Sequence, residues 1–283
     1  MLSVIGGTGV YAFEGLEVTT SHDIDTPFGR PSAPVTEGRL DGTPLLFLPR
    51  HGQGHALMPH EVNYRANLWA LKSLGATMVV GVSAVGSLRL AIAPGDLSVP
   101  DQYFDFVKGP RERSFFGGGL VAHVSTAEPT CARLTAALAA AGDRVGAPVH
   151  TGKTYGCVDG PRLGTRAESA FLRGAAGCDL VGMTNVPEVF LAREAQLCYC
   201  TLTIATDYDC WLDDPEQHVS VAQVIARYGA SLEKARRVIG AMIREGVPDP
   251  AGCGCRGALA SALLTPEEAL TPEQRALLEV LRR

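Results

Sequence analysis

The sequence predicts a three-layer α/β domain built around a mixed sheet, and three observations lead there. Short β-branched or apolar runs alternate with helix-like segments through most of the 283 residues, the pattern of a sheet with helices on its faces. Several of those runs end in Gly, Ser, Thr or His, as buried strands that feed functional loops do. Hydrophobic residues make up 46% and charged residues 19%, which supplies enough apolar side chains for a sizeable core.

Taken in order, Met1–Ile5 reads as the first strand and runs directly into Gly6-Gly7-Thr8-Gly9. Leu45–Leu48 is the next strand, with Arg50-His51-Gly52 beyond its carboxyl end. Asn63–Leu74 has helical periodicity through Ala66, Leu68, Trp69 and Leu71 and stops at Gly75. Met78–Val82, Leu97–Pro100, Val149–Tyr155, Leu180–Gly182 and Tyr199–Ala205 read as further strands. Thr130–Ala141, Thr165–Ala175, Pro187–Ala195 and Ser220–Ile243 read as helices. The last is the longest, with Val221, Val224, Ile225 and Tyr228 at apolar positions.

Residues 1–245 contain no repeat and no low-complexity linker, so they read as one domain. Gly246–Ser261 is rich in Pro, Gly and Ala. Beyond it, Thr265-Pro266-Glu267-Glu268 and Thr271-Pro272-Glu273-Gln274 each offer a Thr N-cap, a Pro at the first helical position and acids in the first turn. Residues 246–283 are therefore expected to form a tail with one or two short helices, not a second domain.

Composition removes several function classes. The formal net charge is −5 and no basic stripe is present, which argues against a nucleic-acid surface. No run of about 18 apolar residues could span a membrane. The amino terminus has neither a basic region nor a long apolar stretch, so no signal peptide is expected. The eight cysteines then read as thiols of a cytoplasmic protein. Cys253-Gly254-Cys255 is the one tight pair. It reads as two thiols on a mobile tail, with a redox-active pair or strained disulfide as the alternative. No second Cys/His pair at ligand spacing follows, which argues against zinc.

Chemistry gathers at the strand ends, where open α/β sheets bind ligands. Gly6-Gly7-Thr8-Gly9 offers backbone N–H groups and the Thr8 hydroxyl to an anion, although it is neither a dinucleotide nor a Walker motif. Arg50 supplies a planar fork for oxyanions and His51 a second donor. Ser83-Ala84 and Met183-Thr184 add hydroxyls and approachable backbone. Four such ends point to phosphate more strongly than any one does, with a structural turn or ion pair as the bland reading of each. Asp207 and Asp209, beside Tyr208 and Trp211, suit recognition and protonation of a heterocycle, and an acidic turn extended by Asp213, Asp214 and Glu216 is the alternative.

The strings IGGTG (5–9), DTPFG (25–29), RHG (50–52), PHEVNYRANLWALKSLG (59–75), GSLR (86–89), GPR (160–162), MTNVPEV (183–189) and ATDYDCW (205–211) resemble the methylthioadenosine phosphorylase family of trimeric purine nucleoside phosphorylases. The resemblance runs unbroken over roughly residues 3–245. It implies a phosphorylase fold whose central mixed sheet is partly barrel-like, assembled as a homotrimer, with hexamers in some relatives. It puts Thr8, Arg50, His51, Ser83, Ala84 and Thr184 around phosphate, Met183 against the ribose, and Asp207 and Asp209 at the purine, Asp207 as the acid. By the same resemblance Val221, Val224 and Ile225 wall the 5′-substituent, with core packing as the alternative, and His123 reaches a neighbouring subunit's pocket, with an ordinary surface histidine as the alternative.

The implied reaction is phosphorolysis of S-methyl-5′-thioadenosine or a closely related 5′-substituted adenosine, with no metal or organic cofactor and phosphate as co-substrate. Ser83 stands where the family often has Thr, which keeps the hydroxyl. Leu163-Gly164 stands where these enzymes usually have Phe-Ser and resembles the branch acting on 6-oxopurines, so a methylthioinosine phosphorylase is the alternative. A water-using nucleosidase or a non-catalytic nucleotide-binding protein on the same fold are the remaining rivals.

Overall fold

In the computed structural model, residues 1–283 are described except 8, 11, 12 and 213–220, and side chains are described except also at 221–226 and 230. Nine strands form one mixed sheet: β1 Leu2–Gly6, β2 Leu16–His22, β3 Val35–Leu40, β4 Thr43–Pro49, β5 Met78–Ser87, β6 Leu97–Asp105, β7 Val149–Cys157, β8 Leu180–Gly182 and β9 Cys198–Asp207. Their order is β2-β3-β4-β1-β5-β8-β7-β6-β9, and β9 pairs back onto β5. The last five strands thus close into a barrel from which the first four extend. Strands β4, β1, β5 and β9 are mutually parallel neighbours, so their carboxyl ends open on one edge of the sheet.

Both faces of the central strands are buried, which is why they read as continuous apolar runs. Along β1, Leu2 and Val4 enter one core with Leu134, Leu138, Val238, Ile239 and Met242. Ile5 enters the other with Leu68, Leu71, Val189 and Leu191. The two-residue period of a strand produces that division. The first core is closed by α2 (Ala132–Arg144) and α5 (Val221–Glu245), the second by α1 (Tyr64–Ser73) and α4 (Asn185–Glu194). Two further helices, α3 (Arg166–Arg173) and α6 (Pro272–Arg282), each start on a reciprocal capping box. Thr165 and Glu168 form the first, Thr271 and Gln274 the second, each satisfying two otherwise orphaned backbone donors.

Two strands lie outside the sequence expectation. The five central residues of β2 are all exposed, so no apolar alternation announces the strand. Its partner β3 carries Gly38, where a Cβ would lie 2.8 Å from the Glu17 carbonyl. Strand β5 also runs five residues past its expected end, because Ser83-Ala84-Val85-Gly86 continues the pairing with β9 and Ser87 pairs with β8, while the segment reads as a loop.

The tail is fastened along the domain. Leu259, Ala262 and Leu281 join the α1–α4 core, while Leu270 and Leu278 pack on Leu120. Among the described residues no helix is long and apolar enough to cross a membrane.

Candidate active site

The carboxyl ends of β1, β4, β5 and β9 place most of the expected residues together. Arg50, just past β4, is 1% exposed and its backbone N–H joins the Gly6 carbonyl at the end of β1 (2.9 Å). Its guanidinium meets Glu188 of α4 in a bidentate pair, Nε to Oε2 at 2.6 Å and Nη2 to Oε1 at 2.7 Å, and donates from Nη1 to the Val82 carbonyl at 2.8 Å. Burial works against the charge, but Glu188 outweighs it and holds Arg50 protonated. Planar forks of this kind fix an arginine in orientation as well as in charge.

Glu188 is itself held. The Tyr199 hydroxyl donates to its Oε1 at 2.7 Å and lies 2.8 Å from Thr201 Oγ1, which accepts from Asn185 Nδ2 at 2.6 Å. A Cβ on Gly81 would stand 2.7 Å from the Tyr199 hydroxyl and 3.2 Å from Arg50 Nη2. Only glycine leaves room for this network.

His51 Nδ1 lies 2.9 Å from the Leu57 carbonyl, and its ring stacks on His55 with centroids 4.4 Å apart. Burial, then the charge of Arg50, pushes His51 down to about 4. The ring is therefore neutral near pH 7 with its proton on Nδ1, and Nε2 offers a lone pair. That suits a protonated phosphate oxygen, in place of the donor the sequence suggested.

Two hydroxyls from different elements complete this corner. Ser83 Oγ of β5 lies 3.3 Å from Thr184 Oγ1, and also donates to the Ala84 carbonyl at 3.3 Å. Thr184 occupies the N-cap position of α4 yet spends no side-chain bond on capping, which leaves its oxygen for another partner. The Tyr155 hydroxyl, which a Cβ on Gly182 would strike, is buried with no hydrogen bond of good geometry among the described residues.

Asp207 closes β9 opposite Gly86 of β5. Gly86 lies three positions beyond Ser83 on that strand, a rise of roughly 10 Å, room for a sugar between phosphate and base. The Asp207 carboxylate is 4% exposed and accepts from Thr206 Oγ1 and from the Asp209 backbone N–H, both at 2.7 Å. Burial pushes its pKa up, the Asp209 charge adds to that, and the two hydrogen bonds oppose it. Asp209 adopts a left-handed backbone, φ 51°. A Cβ on Gly164 would lie 3.9 Å from Asp209 Oδ1, so the Leu163-Gly164 turn and the acidic pair do face one another. Leu163 is exposed.

Met183 is half-buried and packs its sulfur against Gly160. Arg111 binds the loops on either side of it, donating to the carbonyls of Met183, Val186 and Asp159. Tyr228 of α5 brings its hydroxyl beside Gly7, so the long helix passes the glycine turn of β1. Thr8 lies outside the described residues, as do the side chains of Val221, Val224 and Ile225. His123 is exposed on a segment joined to the tail through the Ala262 carbonyl, with no side-chain bond to this site among the described residues. Trp211 and Tyr208 turn away: the Trp211 indole donates to the Ser87 carbonyl and carries Arg173 on its face, and Tyr208 reaches the Leu90 carbonyl. The aromatic pair thus packs structurally instead of stacking on a base.

Sequence reasoning passed over Glu188, Tyr199, Tyr155 and Arg111. Glu188 had a signal, a single acid inside the apolar run Val186-Pro187-Glu188-Val189-Phe190-Leu191. The other three carry none outside the fold.

Comparison with known proteins adds names to this geometry. The model of the phosphorylase superfamily matches residues 2–244. The chain is 45% identical to the S-methyl-5′-thioadenosine phosphorylase of Geobacter sulfurreducens over 99% of its own length and 97% of the relative's. It is 46% identical to that of Cereibacter sphaeroides over the same shares. Among solved structures, a methylthioadenosine phosphorylase from an Antarctic soil metagenomic library is 41% identical with a TM-score of 0.91, covering 99% of this chain and 98% of that one. The Schistosoma mansoni methylthioadenosine phosphorylase in complex with adenine is 35% identical with a TM-score of 0.87, covering 93% and 99%.

Proposed function

The chain belongs to the phosphorylase superfamily, and from that premise we propose that it cleaves S-methyl-5′-thioadenosine with inorganic phosphate, giving adenine and 5-methylthioribose 1-phosphate. The observation that carries the reading is the Glu188-oriented Arg50, bonded to the Val82 carbonyl next to the Ser83–Thr184 hydroxyl pair, one strand segment away from a buried acid.

Phosphate sits against Arg50, Ser83, Thr184 and the Thr8 turn, with the neutral His51 accepting from a protonated oxygen. The C1′–N9 bond loosens first and its electron pair passes to the purine. The developing positive charge on the sugar is stabilised by the phosphate held below it, and a phosphate oxygen then bonds to C1′. Asp207, whose proton burial favours, gives it to N7 and leaves adenine as a neutral product. Asp207 as carboxylate also accepts from the exocyclic amino group, which a 6-oxo base lacks. Met183 lies under the ribose and Asp209 borders the base in this reading. Val221, Val224 and Ile225 wall the methylthio group. The reaction so read uses no metal or organic cofactor. The same reading gives a homotrimer in the cytoplasm, in which His123 of one subunit approaches the pocket of the next.

A second reading, methylthioinosine as substrate, rests on Leu163-Gly164 standing beside Asp209. The leucine lies against either base, whereas Asp207 discriminates between them, and polar contacts separate substrates by about 10⁴. We therefore place it second. Release of adenine from methylthioadenosine is expected to require phosphate and to yield a sugar phosphate. Equal release in phosphate-free buffer, with free methylthioribose as product, would contradict phosphorolysis.

A further inference from the structure

Four cysteines remote in sequence meet at the opposite end of the barrel from this site. Cys131 is the N-cap residue of α2, Cys198 opens β9, and Cys253 and Cys255 come from the tail. Their sulfur atoms all lie within 4.8 Å of one another, and three of the four residues are buried. Cys131 Sγ and Cys253 Sγ are 3.8 Å apart. A Zn–S bond of about 2.3 Å sets tetrahedral sulfurs about 3.8 Å apart, whereas a disulfide needs about 2.05 Å and joins sulfurs only in pairs.

We propose that Cys131, Cys198, Cys253 and Cys255 bind one zinc ion as a closed tetrathiolate site. Four thiolates leave no open position, the arrangement of a structural metal and not of a catalytic one. Binding releases the thiol protons to solvent and transfers no electrons. Cys200, two residues further along β9 and buried in the same core, stands outside the set.

Hydrogen bonds unrelated to the sulfurs hold each ligand in place. The Cys131 backbone N–H donates to the Tyr199 carbonyl at 2.8 Å, tying α2 to the start of β9. Arg133 donates to the carbonyls of Asp249, Ala251 and Gly252, which fixes the chain entering Cys253. Past Cys255, Arg256 donates to the Gln196 carbonyl and the Leu259 N–H donates to Gln196 Oε1, next to Cys198. The thiols are thus assembled before any ion arrives.

The charges around the cluster fit a dianion. Zinc with four thiolates carries two net negative charges, which need compensation in a buried place. Lys72 is fully buried, with no hydrogen-bond partner for its ammonium among the described residues. Arg256 and Cys198 both lie within electrostatic reach of it. A lysine in such surroundings is otherwise unexplained. Beside the tetrathiolate it becomes the counter-charge, together with Arg256 and the amino end of α2. The spacing argument against zinc sought a second local pair, whereas the fold brings in two single cysteines from distant strands and helices.

Cys198 and Asp207 bound the two ends of β9, roughly 30 Å apart, so the ion would clamp the tail to the barrel without touching the nucleoside. The test is elemental analysis of the full-length protein purified under reductant. Expected is one zinc per chain, lost in Cys253→Ser/Cys255→Ser and retained in Cys200→Ala. As a check that does not depend on a variant folding, chelator-stripped wild type reconstituted with cobalt(II) should give the thiolate-to-cobalt charge-transfer and tetrahedral ligand-field bands. Metal-free protein whose four thiols titrate freely and bind no cobalt, or one whose cysteines are paired as disulfides, would overturn the proposal. So would zinc retained at full stoichiometry in the folded double variant.

Discussion

The phosphate corner and the base end lie three positions apart along one strand and are built in opposite ways. At the first, Arg50, Glu188, Tyr199, Thr201 and Asn185 form a buried chain in which each residue has a hydrogen-bond partner on a different element. At the second, the buried pair Asp207 and Asp209 faces a turn whose leucine is exposed. A network anchored to several strands resists change, because any member removed leaves the others unsatisfied. An acidic pair beside a loop can be retuned by one substitution. The difference teaches that the reaction is written into the core of the fold, and base preference into its margin.

The sharpest way to break that comparison is Glu188→Ala. It leaves the Arg50 charge buried and unpaired, which costs about 3–5 kcal/mol, and lets the guanidinium turn away from phosphate. Chemical denaturation should report the loss and steady-state assays a much raised phosphate KM. Unchanged stability together with an unchanged KM would mean that the network does not orient the anion site.

His51 offers a smaller effect with a definite sign. Its pKa is near 4 in the folded chain and about 6.5 when unfolded. Between those values the unfolded state binds the proton and the native state refuses it. Stability therefore falls as pH drops from about 6.5 to 4, by at most roughly 3 kcal/mol. Glu194, raised by burial to about 7, contributes in the other direction: its stabilisation is present at low pH and lost as pH rises toward 7. The measurement is consequently the difference in stability–pH slope between wild type and His51→Asn, whose amide can still donate to the Leu57 carbonyl. Parallel profiles would remove His51 from the buried network.

Gly81→Ala sharpens the comparison with the least disturbance. The added methyl meets the Tyr199 hydroxyl and should cost about 1–3 kcal/mol, with phosphate KM rising more than nucleoside KM. Gly164→Ala, which meets Asp209 only at ordinary contact distance, should leave stability nearly unchanged. Equal costs at the two glycines would erase the contrast.

Much of this was legible in the sequence, for physical reasons that differ by element. Strands β1, β4, β8 and β9 are buried runs whose ends carry polar residues, and composition alone marks them. The Thr271 capping box announces its helix by residue type, whereas Thr265 caps no helix and its hydroxyl donates to the Gly119 carbonyl instead. The β2–β3 hairpin did not show because its exposed strand has no apolar period to read. Arg50, Ser83, Thr184 and Asp207 stood out as polar residues at strand ends, and the fold gathers them at one edge. Glu188 escaped because its function depends on a partner 138 positions away. Adjacency to Asp209 in sequence does not orient the Trp211 ring, whose indole N–H donates to the Ser87 carbonyl. The four gathered cysteines escaped likewise, since only the path of β9 and the tail unites them.

The most direct measurement of the central claim is kcat/KM for methylthioadenosine and methylthioinosine in wild type and in Asp207→Asn, with phosphate KM recorded alongside. The account predicts a wild type that prefers methylthioadenosine. In Asp207→Asn, activity on that substrate should fall by about 10²–10⁴ and the ratio should shift toward methylthioinosine, while phosphate KM stays put. A wild type that prefers methylthioinosine, or a variant whose phosphate KM moves as much as its base preference, would contradict it.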